Sequence, residues 1–262
     1  MSSIEGTVPG AAYPILEFDP SPKAVINPQA VSGKADVPVH CVVCFFREVL
    51  DKVIADPAVR VAWEGRWEDG IWRLYELDHA GRRVAFFHPG VGAPAAAGKL
   101  EEVIGLGCTH FIAAGGCGVL ESSLPVGYVI LPNGAVRDEG TSYHYLPPGR
   151  EVGPSPVALA ALEATLIRNG QPFIVGKTWT TDAPYRETPA KVALRRAEGC
   201  LAVEMEASAF FAVAAFRGVT FGQLLYAGDD VGGEAWDPRG WDRQAAVRER
   251  LFWLAVEACL SI

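Results

Sequence analysis

The stretch HFIAAGGCGVL, residues 110–120, predicts a short buried strand that runs into a glycine-rich turn. Turns of this kind often hold an anion through their backbone N–H groups, and a cation usually lies close by. Here the strand ends in Ala113 and Ala114, which carry no charge. Three interpretations stay open: an anion site that lacks its charge, a site for another ligand, or a tight turn that binds nothing.

Segments typical of strands and helices alternate on both sides of this stretch. Apolar runs between turn residues predict strands over 72–77, 83–88, 108–114, 127–131, 172–179, 200–204 and 220–226. Helical spacing predicts helices over 40–55, 95–106, 155–169, 189–198, 206–217 and 242–260. Residues 1–36 are irregular and rich in Pro and Gly. The alternation favours one α/β domain over residues 1–262, a central mixed sheet flanked by helices.

Composition excludes several classes of function. The 262 residues carry 23 basic and 31 acidic side chains, so the net charge is 23 − 31 = −8, which argues against nucleic acid or an anionic membrane as the main partner. No apolar run reaches the ~18 residues of a membrane span, and the N-terminus resembles no secretory signal, so we expect a cytoplasmic protein. The six cysteines lie in apolar segments, which indicates buried free thiols. The HCVVC pair at 40–44 lacks a second half-site, so no metal is expected.

Polar clusters follow four of the predicted strands. They are GGCG at 115–118, TWTTD at 178–182, EMEAS at 204–208 and GDD at 228–230. Ligands of α/β sheets bind where strands end, so this coincidence predicts a binding site built from these clusters.

The segment VEMEAS at 203–208 places Glu204 and Glu206 where an apolar strand meets an apolar helix. A glutamate near a helix N-terminus is favoured by the helix dipole, which accounts for one of the two. A buried carboxylate needs specific partners, and the vicinal hydroxyls of a sugar are suitable ones.

Three further residues have two interpretations each. Asp229 in YAGDDV can be a general acid that protonates a leaving nitrogen, or a turn residue. Trp179 in KTWTTD can lie against a flat heterocycle, or in the core. His144 in TSYHY can contact a ligand, or lie on a surface loop.

Taken together, these clusters resemble one family, the nucleoside phosphorylases of the uridine and hexameric purine type. The similar segments occur in order: HPGVGAP, FIAAGGCGVL, VGYVILPNGAVRDEGTSYHY, GKTWTTDAPY, VEMEAS and YAGDDV. They run from about residue 88 to residue 231, with a looser match near residue 18, and VEMEAS is the most specific. The resemblance implies a partly barrel-like sheet of the nucleoside phosphorylase/hydrolase type. It also implies a homodimer or hexamer with shared active sites.

The resemblance assigns roles to residues of this chain. It implies ribose contacts from Glu206, Met205 and His144, with Glu206 on the 2′- and 3′-hydroxyls. It implies base contacts from Trp179, Glu204, Thr180 and Arg186. It makes Asp229 the catalytic acid, supported by Arg243. It implies phosphate contacts from Gly92, Gly115, Gly116 and Lys23.

The chain departs from the family pattern at the phosphate contacts. The arginine of the phosphate strand is replaced by Ala113, and the following hydroxyl residue by Gly116. The early family arginine falls on Pro22, with Lys23 beside it. Each lost contact costs on the order of 1.5–3 kcal/mol, so two losses weaken phosphate binding roughly 10²–10⁴-fold. Alternatively a cation arrives from Arg60, Arg66 or Arg73, in the region where the family donates an arginine to the adjacent subunit.

The resemblance implies cleavage of the N-ribosidic bond of a nucleoside with phosphate as co-substrate and no cofactor. Two alternatives stay open: a hydrolase of the same fold, with Glu17 as the one nearby candidate for its base, and a non-catalytic nucleoside-binding protein. The uridine type uses a Gln and an Arg after TTDAPY, whereas Tyr185–Thr188 supplies Arg186 and no Gln. The sequence therefore does not identify the base.

Overall fold

The computed structural model describes residues 10–262 of the chain. Its strands are β1 His40–Cys44, β2 Arg60–Trp67, β3 Gly70–His79, β4 Arg82–Phe87, β5 His110–Val119, β6 Val129–Asp138, β7 Glu151–Val152, β8 Phe173–Thr181, β9 Cys200–Glu204 and β10 Thr220–Asp230. Its α-helices are α1 Pro28–Ser32, α2 Arg47–Ile54, α3 Ala93–Leu106, α4 Pro156–Arg168, α5 Pro189–Ala197, α6 Ala207–Arg217 and α7 Ala245–Leu260.

All ten strands belong to one mixed sheet. The order is β10-β6-β8-β9-β5-β1-β4-β3-β2, and the short β7 pairs with β6. Strand β10 also pairs in parallel with β5, so β5, β10, β6, β8 and β9 close into a ring. The remaining strands extend from β5 as an open sheet. This confirms the predicted single α/β domain with a partly barrel-like sheet flanked by helices.

Helices cover both faces of the open part of the sheet. Apolar side chains of α2, α4 and α7 form one core with Val42 and Phe86. Apolar side chains of α3 and α6 form a second core with Val43 and Phe87. Val42 and Val43 are neighbours in β1, and successive side chains of a strand point to opposite faces. Strand β1 is therefore buried on both sides.

This double burial explains one wrong prediction. The helix predicted over 40–55 is instead β1, which pairs with β4 and β5, followed by α2 from Arg47. A strand covered on both faces is apolar throughout, and such a run cannot be told from a buried helix by its period. The sequence also gave no signal for β2, an edge strand, or for α1 in the N-terminal segment.

The predicted glycine turn is also wrong, because β5 continues through it to Val119. Gly115 and Gly116 lie opposite Leu225 and Tyr226 of β10. A Cβ atom on Gly116 would lie 3.0 Å from the Tyr226 ring, closer than side chains normally pack. The two glycines therefore leave room for the side chains of Phe45 and Tyr226 to pack against β5.

The N-terminal segment has little regular structure where it is described. A 3-10 turn spans Pro14–Leu16, and α1 packs on α3. Residues 1–9 of the predicted irregular segment lie outside the described range. Across residues 10–262, no helix is both long and apolar enough to cross a bilayer. The same residues contain no group of three His, Cys, Asp or Glu side chains that could hold a metal ion.

Candidate active site

The four polar clusters meet around the second half of β5. Strand β9 runs antiparallel to β5 there, with Gly118 opposite Val203, and β10 follows β5 as far as Val119. Strand β8 lies beside β9 and places Thr180 opposite Glu204. The ring therefore brings residues far apart in sequence to one region.

Glu204 is buried and fully hydrogen-bonded. Its Oε1 accepts from the hydroxyls of Thr178 at 3.2 Å and Thr180 at 2.7 Å. Its Oε2 accepts from the backbone N–H groups of Glu206 at 2.7 Å and Ala207 at 2.6 Å. Burial raises the pKa of Glu204, while these four bonds favour the ionised form. The carboxyl group fixes the turn that leads into α6, and both its oxygens are occupied.

Glu206 lies on the same turn but makes a different contact. Its Oε1 accepts a hydrogen bond of 2.5 Å from the backbone N–H of Gly92. Gly92 precedes α3 and has a φ of 95°, a conformation that favours glycine. Burial, and after it the charge of Glu204, raises the pKa of Glu206 to about 8. Two carboxylates in one buried turn therefore differ: Glu204 is structural, and Glu206 has one exchangeable partner. Met205, between them, is half-buried.

Asp229 lies at the end of β10, which pairs with β5 on the side opposite the strand β9 that leads to Glu206. Its Oδ1 would lie 3.6 Å from a Cβ atom on Gly118, so this carboxyl group lies directly against β5. Its Oδ2 accepts a hydrogen bond of 2.7 Å from the indole N–H of Trp236. Sequence reasoning did not identify Trp236, because it belongs to an irregular segment without a motif.

A second carboxyl group, Glu187, lies close enough to Asp229 for the charge of Asp229 to act on it. Glu187 follows the 3-10 turn Pro184–Arg186 and is half-buried. Burial, and after it the charge of Asp229, raises the pKa of Glu187 to about 7. Sequence reasoning passed over Glu187 because nothing local distinguishes it from an ordinary surface glutamate. Its neighbour Arg186 is exposed.

Trp179 lies wholly inside the protein, with 0% of its surface exposed. Its indole N–H donates to Asp138, and the side chains of Lys191 and Arg195 lie over its ring. The hydroxyl of Thr180 donates to Glu204 and accepts from the N–H of Ser208. Trp179 and Thr180, two of the four residues predicted to contact the base, are therefore fully buried with their polar groups bonded inside the protein.

His144 is exposed on the 3-10 turn Thr141–His144, which packs on α6. Buried polar bonds hold this turn: Glu139 accepts from the N–H of Ser142 and from the hydroxyl of Ser208 in VEMEAS. Arg137 donates to the Ser142 hydroxyl and to two carbonyl groups of the following loop. The turn is therefore fixed to the first turn of α6, beside Glu206.

Lys23 is not brought to the glycine residues. The carbonyl of Pro22 accepts from Arg217, which lies in the last turn of α6. Glu206 precedes the first turn of this helix of 11 residues, about 16 Å away at ~1.5 Å per residue. Pro22, and Lys23 beside it, therefore lie at the far end of α6 from Glu206.

Two other cations lie close to the loop 88–92. Arg47 is exposed at the start of α2, directly after β1. Lys99 is 4% exposed, and its amine would lie 3.4 Å from a Cβ atom on Gly90. Burial, then Arg47, then Lys99 lowers the pKa of His88 to about 4, so both charges act on this loop. The neutral ring accepts the N–H of Gly90 at 3.0 Å.

The remaining arginines have different surroundings. Arg60 pairs with Glu76, and Arg73 pairs with Glu64. Arg66 lines an open groove of about 970 Å³ with the 67–70 hairpin and Ala95 of α3. Arg243 is exposed on the 3-10 turn Trp241–Arg243. Arg239 contacts the strand that carries Asp229 next to this residue, because it donates to the carbonyl of Gly228.

The family model described as the phosphorylase superfamily matches residues 39–256. The chain belongs to this superfamily, and the predicted resemblance is confirmed. A guanosine phosphorylase of Halorubrum lacusprofundi is 30% identical over 172 residues, which cover 63% of this chain and 71% of that protein. The match begins at β1, so residues 18–23 lie outside it.

Solved structures share the fold. Uridine phosphorylase from Vibrio fischeri ES114 superposes with a TM-score of 0.72 at 22% identity, covering 87% of this chain and 94% of that one. AMP nucleosidase from Bacteroides thetaiotaomicron superposes with a TM-score of 0.69 at 21% identity, covering 86% and 89%. At these identities the likeness concerns the fold.

Proposed function

We propose that the protein cleaves the N-ribosidic bond of a nucleoside by phosphorolysis, releasing the free base and ribose 1-phosphate. The observation that carries this proposal is the position of Glu206 and Asp229 on opposite sides of β5, each with an oxygen held by one neutral donor. One carboxylate suits the hydroxyls of the sugar, and the other suits the leaving nitrogen.

The chemistry follows from this placement. The carboxyl group of Glu206 accepts hydrogen bonds from the 2′- and 3′-hydroxyls of the ribose, with Met205 and His144 beside the sugar. Asp229 protonates the base as the C–N bond breaks, and a phosphate oxygen bonds to the anomeric carbon of the oxocarbenium-like sugar. A fixed set of charges around this transition state supplies the rate enhancement.

Phosphate binding is proposed at the loop 88–92 between two cations. The N–H of Gly92 becomes available when ribose takes over Glu206, and Arg47 and Lys99 provide charge on either side of the loop. In this proposal Arg47 and Lys99 take the roles predicted for Lys23 and for the family arginine that is absent at Ala113. Gly115 and Gly116 support the site indirectly, because their missing side chains let Phe45 and Tyr226 pack against β5.

The base is proposed to be a purine whose edge carries N–H donors, such as guanine. Glu187 supports this, since an ionised carboxylate beside Asp229 can accept two parallel N–H bonds. The guanosine phosphorylase of Halorubrum lacusprofundi is a relative with that activity in its name. Arg186 lies next to Glu187 at the same rim.

A hydrolase of the same fold is the second candidate. The uncharged Ala113 on β5 favours it, and AMP nucleosidase provides a neighbour in fold with a hydrolytic name. Water would then take the place of phosphate at the anomeric carbon.

We also propose a homodimer in which each subunit completes the site of the other. Arg66 supports this assembly because it lines an open groove beside α3 rather than an internal ion pair. A dimer related by a twofold axis would bring this groove against the same surface of the second subunit.

The deciding experiment incubates the protein with a nucleoside panel, with and without phosphate or arsenate, and follows the free base. Release that needs the anion supports phosphorolysis. Release that is indifferent to it supports the hydrolase. Binding of nucleoside without release supports a binding protein and contradicts both enzymatic proposals.

A further inference from the structure

The indole of Trp236 makes a contact that no general feature of the fold requires. Its N–H donates to Oδ2 of Asp229 at 2.7 Å, while 62% of the residue remains exposed. An indole N–H donates and cannot accept. A carbonyl oxygen of a carboxyl group accepts better than its hydroxyl oxygen, so this bond favours Oδ2 as the carbonyl oxygen and places a proton carried by Asp229 on Oδ1.

The segment that carries Trp236 is built to keep the indole there. The backbones of Asp230 and Asp237 exchange two hydrogen bonds, of 2.8 and 3.0 Å, which fold residues 231–236 back over the end of β10. Arg239 then donates to the carbonyls of Gly228 and Leu124 at 2.6–2.9 Å. The segment is thus fixed on both sides of Trp236.

We propose that Trp236 is a positioning residue that directs the proton of Asp229 to Oδ1 and stabilises the carboxylate left after proton transfer. This inference rests on the proposed function. As the C–N bond breaks, its electron pair passes to the base nitrogen, and the Oδ1 proton goes to the base. The negative charge that appears on Asp229 is then met by the indole N–H. Solvent returns the proton after the base leaves.

A donor that strengthens its bond as charge develops stabilises the transition state more than the ground state. Loss of the indole donor should therefore lower kcat and leave the affinity for nucleoside nearly unchanged. Loss of a hydrogen bond to a group that becomes charged lowers the rate about 10- to 100-fold.

The test compares Trp236→Phe, which keeps an aromatic ring and removes the donor, with Trp241→Phe. Trp241 is an exposed tryptophan of the same segment whose indole makes no hydrogen bond within the described chain. We expect Trp236→Phe to lower kcat about 10- to 100-fold with the nucleoside KM within about twofold. Trp241→Phe should match the wild-type protein.

A double variant separates positioning from a structural role. Because Trp236 acts through Asp229, adding Trp236→Phe to Asp229→Asn should lower kcat no further. An unchanged kcat in Trp236→Phe, or losses that multiply in the double variant, would overturn this inference while the proposed function stands. A wild-type protein that releases no base from any nucleoside, with or without phosphate, would overturn the proposed function and this inference with it.

Discussion

The backbone N–H of Gly92 donates to Glu206 across 2.5 Å, which joins the glycine loop before α3 to the turn before α6. In the proposed function these are the phosphate loop and the ribose carboxylate. Ribose hydroxyls compete for the same oxygen, so nucleoside binding would release the Gly92 N–H toward phosphate. Binding of nucleoside and phosphate would then be coupled through this single hydrogen bond.

The raised pKa of Glu206 predicts a pH-dependent stability. In the folded protein this carboxyl group keeps its proton up to about pH 8, whereas in the unfolded chain it ionises near its ordinary value of 4.5. Between these values unfolding releases a proton, so rising pH favours the unfolded state. Glu206→Gln does not titrate and should lose less stability between pH 5 and pH 9. A change of about 1 kcal/mol in the free energy of unfolding shifts the Tm of a protein this size by about 2–4 °C. We therefore expect the Tm of Glu206→Gln to exceed that of the wild type by a few degrees at pH 9.

The measurement is thermal unfolding of both proteins at several pH values without ligand. Glu249→Gln, at an exposed glutamate paired with Lys52, is the matched control and should parallel the wild type. Parallel curves for Glu206→Gln and the wild type would contradict the assignment of this titration to Glu206.

Asp229→Asn should reduce turnover about 10²–10⁴-fold, because the amide cannot transfer a proton to the leaving base. Single-turnover release of base measures this step directly. Asp242→Asn, an exposed aspartate after the same strand, is the control and should retain full turnover. Equal turnover in the two variants would remove Asp229 from the mechanism.

Arg47→Ala should raise the KM for phosphate about 10- to 100-fold, because a charge-assisted contact is lost. The KM for nucleoside should change much less, since Glu206 and Asp229 make their hydrogen bonds to Gly92 and Trp236 rather than to Arg47. Lys52→Ala on the same helix, an exposed residue paired with Glu249, provides the control. A phosphate KM that does not change would assign the anion to other groups.

Glu187→Gln should lower kcat/KM for guanosine about tenfold, because an amide replaces one acceptor with a donor facing the N–H groups of the base.

The pKa of Glu187 is raised to about 7, so the fraction of Glu187 in its ionised, accepting form grows as pH rises through 7. We therefore expect kcat/KM for guanosine to rise across this range in the wild type and to lose that inflection in the variant. Inosine, which lacks the 2-amino group, should respond less. An identical pH profile in both proteins would exclude Glu187 from base recognition.

Much of the fold follows from the sequence because local patterns carry it. The helices α3 to α7 and strand β9 begin and end within a few residues of their predicted bounds, since apolar spacing, prolines and glycines mark them. Strand β1 was not predicted because it is buried on both faces, so its sequence lacks the alternation of apolar and polar residues that marks a strand. The glycines of β5 were misinterpreted because the side chain that requires Gly116, Tyr226, is distant in the chain.

Candidate site residues could be predicted only where a motif carries them. VEMEAS and YAGDDV mark Glu206 and Asp229 as candidates from the chain itself, and the ring places their strands beside β5. Trp236 and Glu187 have no motif, and their contacts with Asp229 exist only after folding. Trp179 shows the converse: its segment suggests a binding site, while its neighbours Asp138 and Arg195 bury it.

The parallel pairing of β5 with β10 also has a consequence for how the protein folds. It joins residue 110 to residue 220, so closing the ring requires a long loop of chain to be brought together. Pairings of such large sequence separation form slowly, because their entropy cost precedes any gain in contacts. Glu206 and Asp229 take their places on the two sides of β5 only when this closure is complete. We therefore expect activity to appear at the end of refolding, after most of the helical signal has returned.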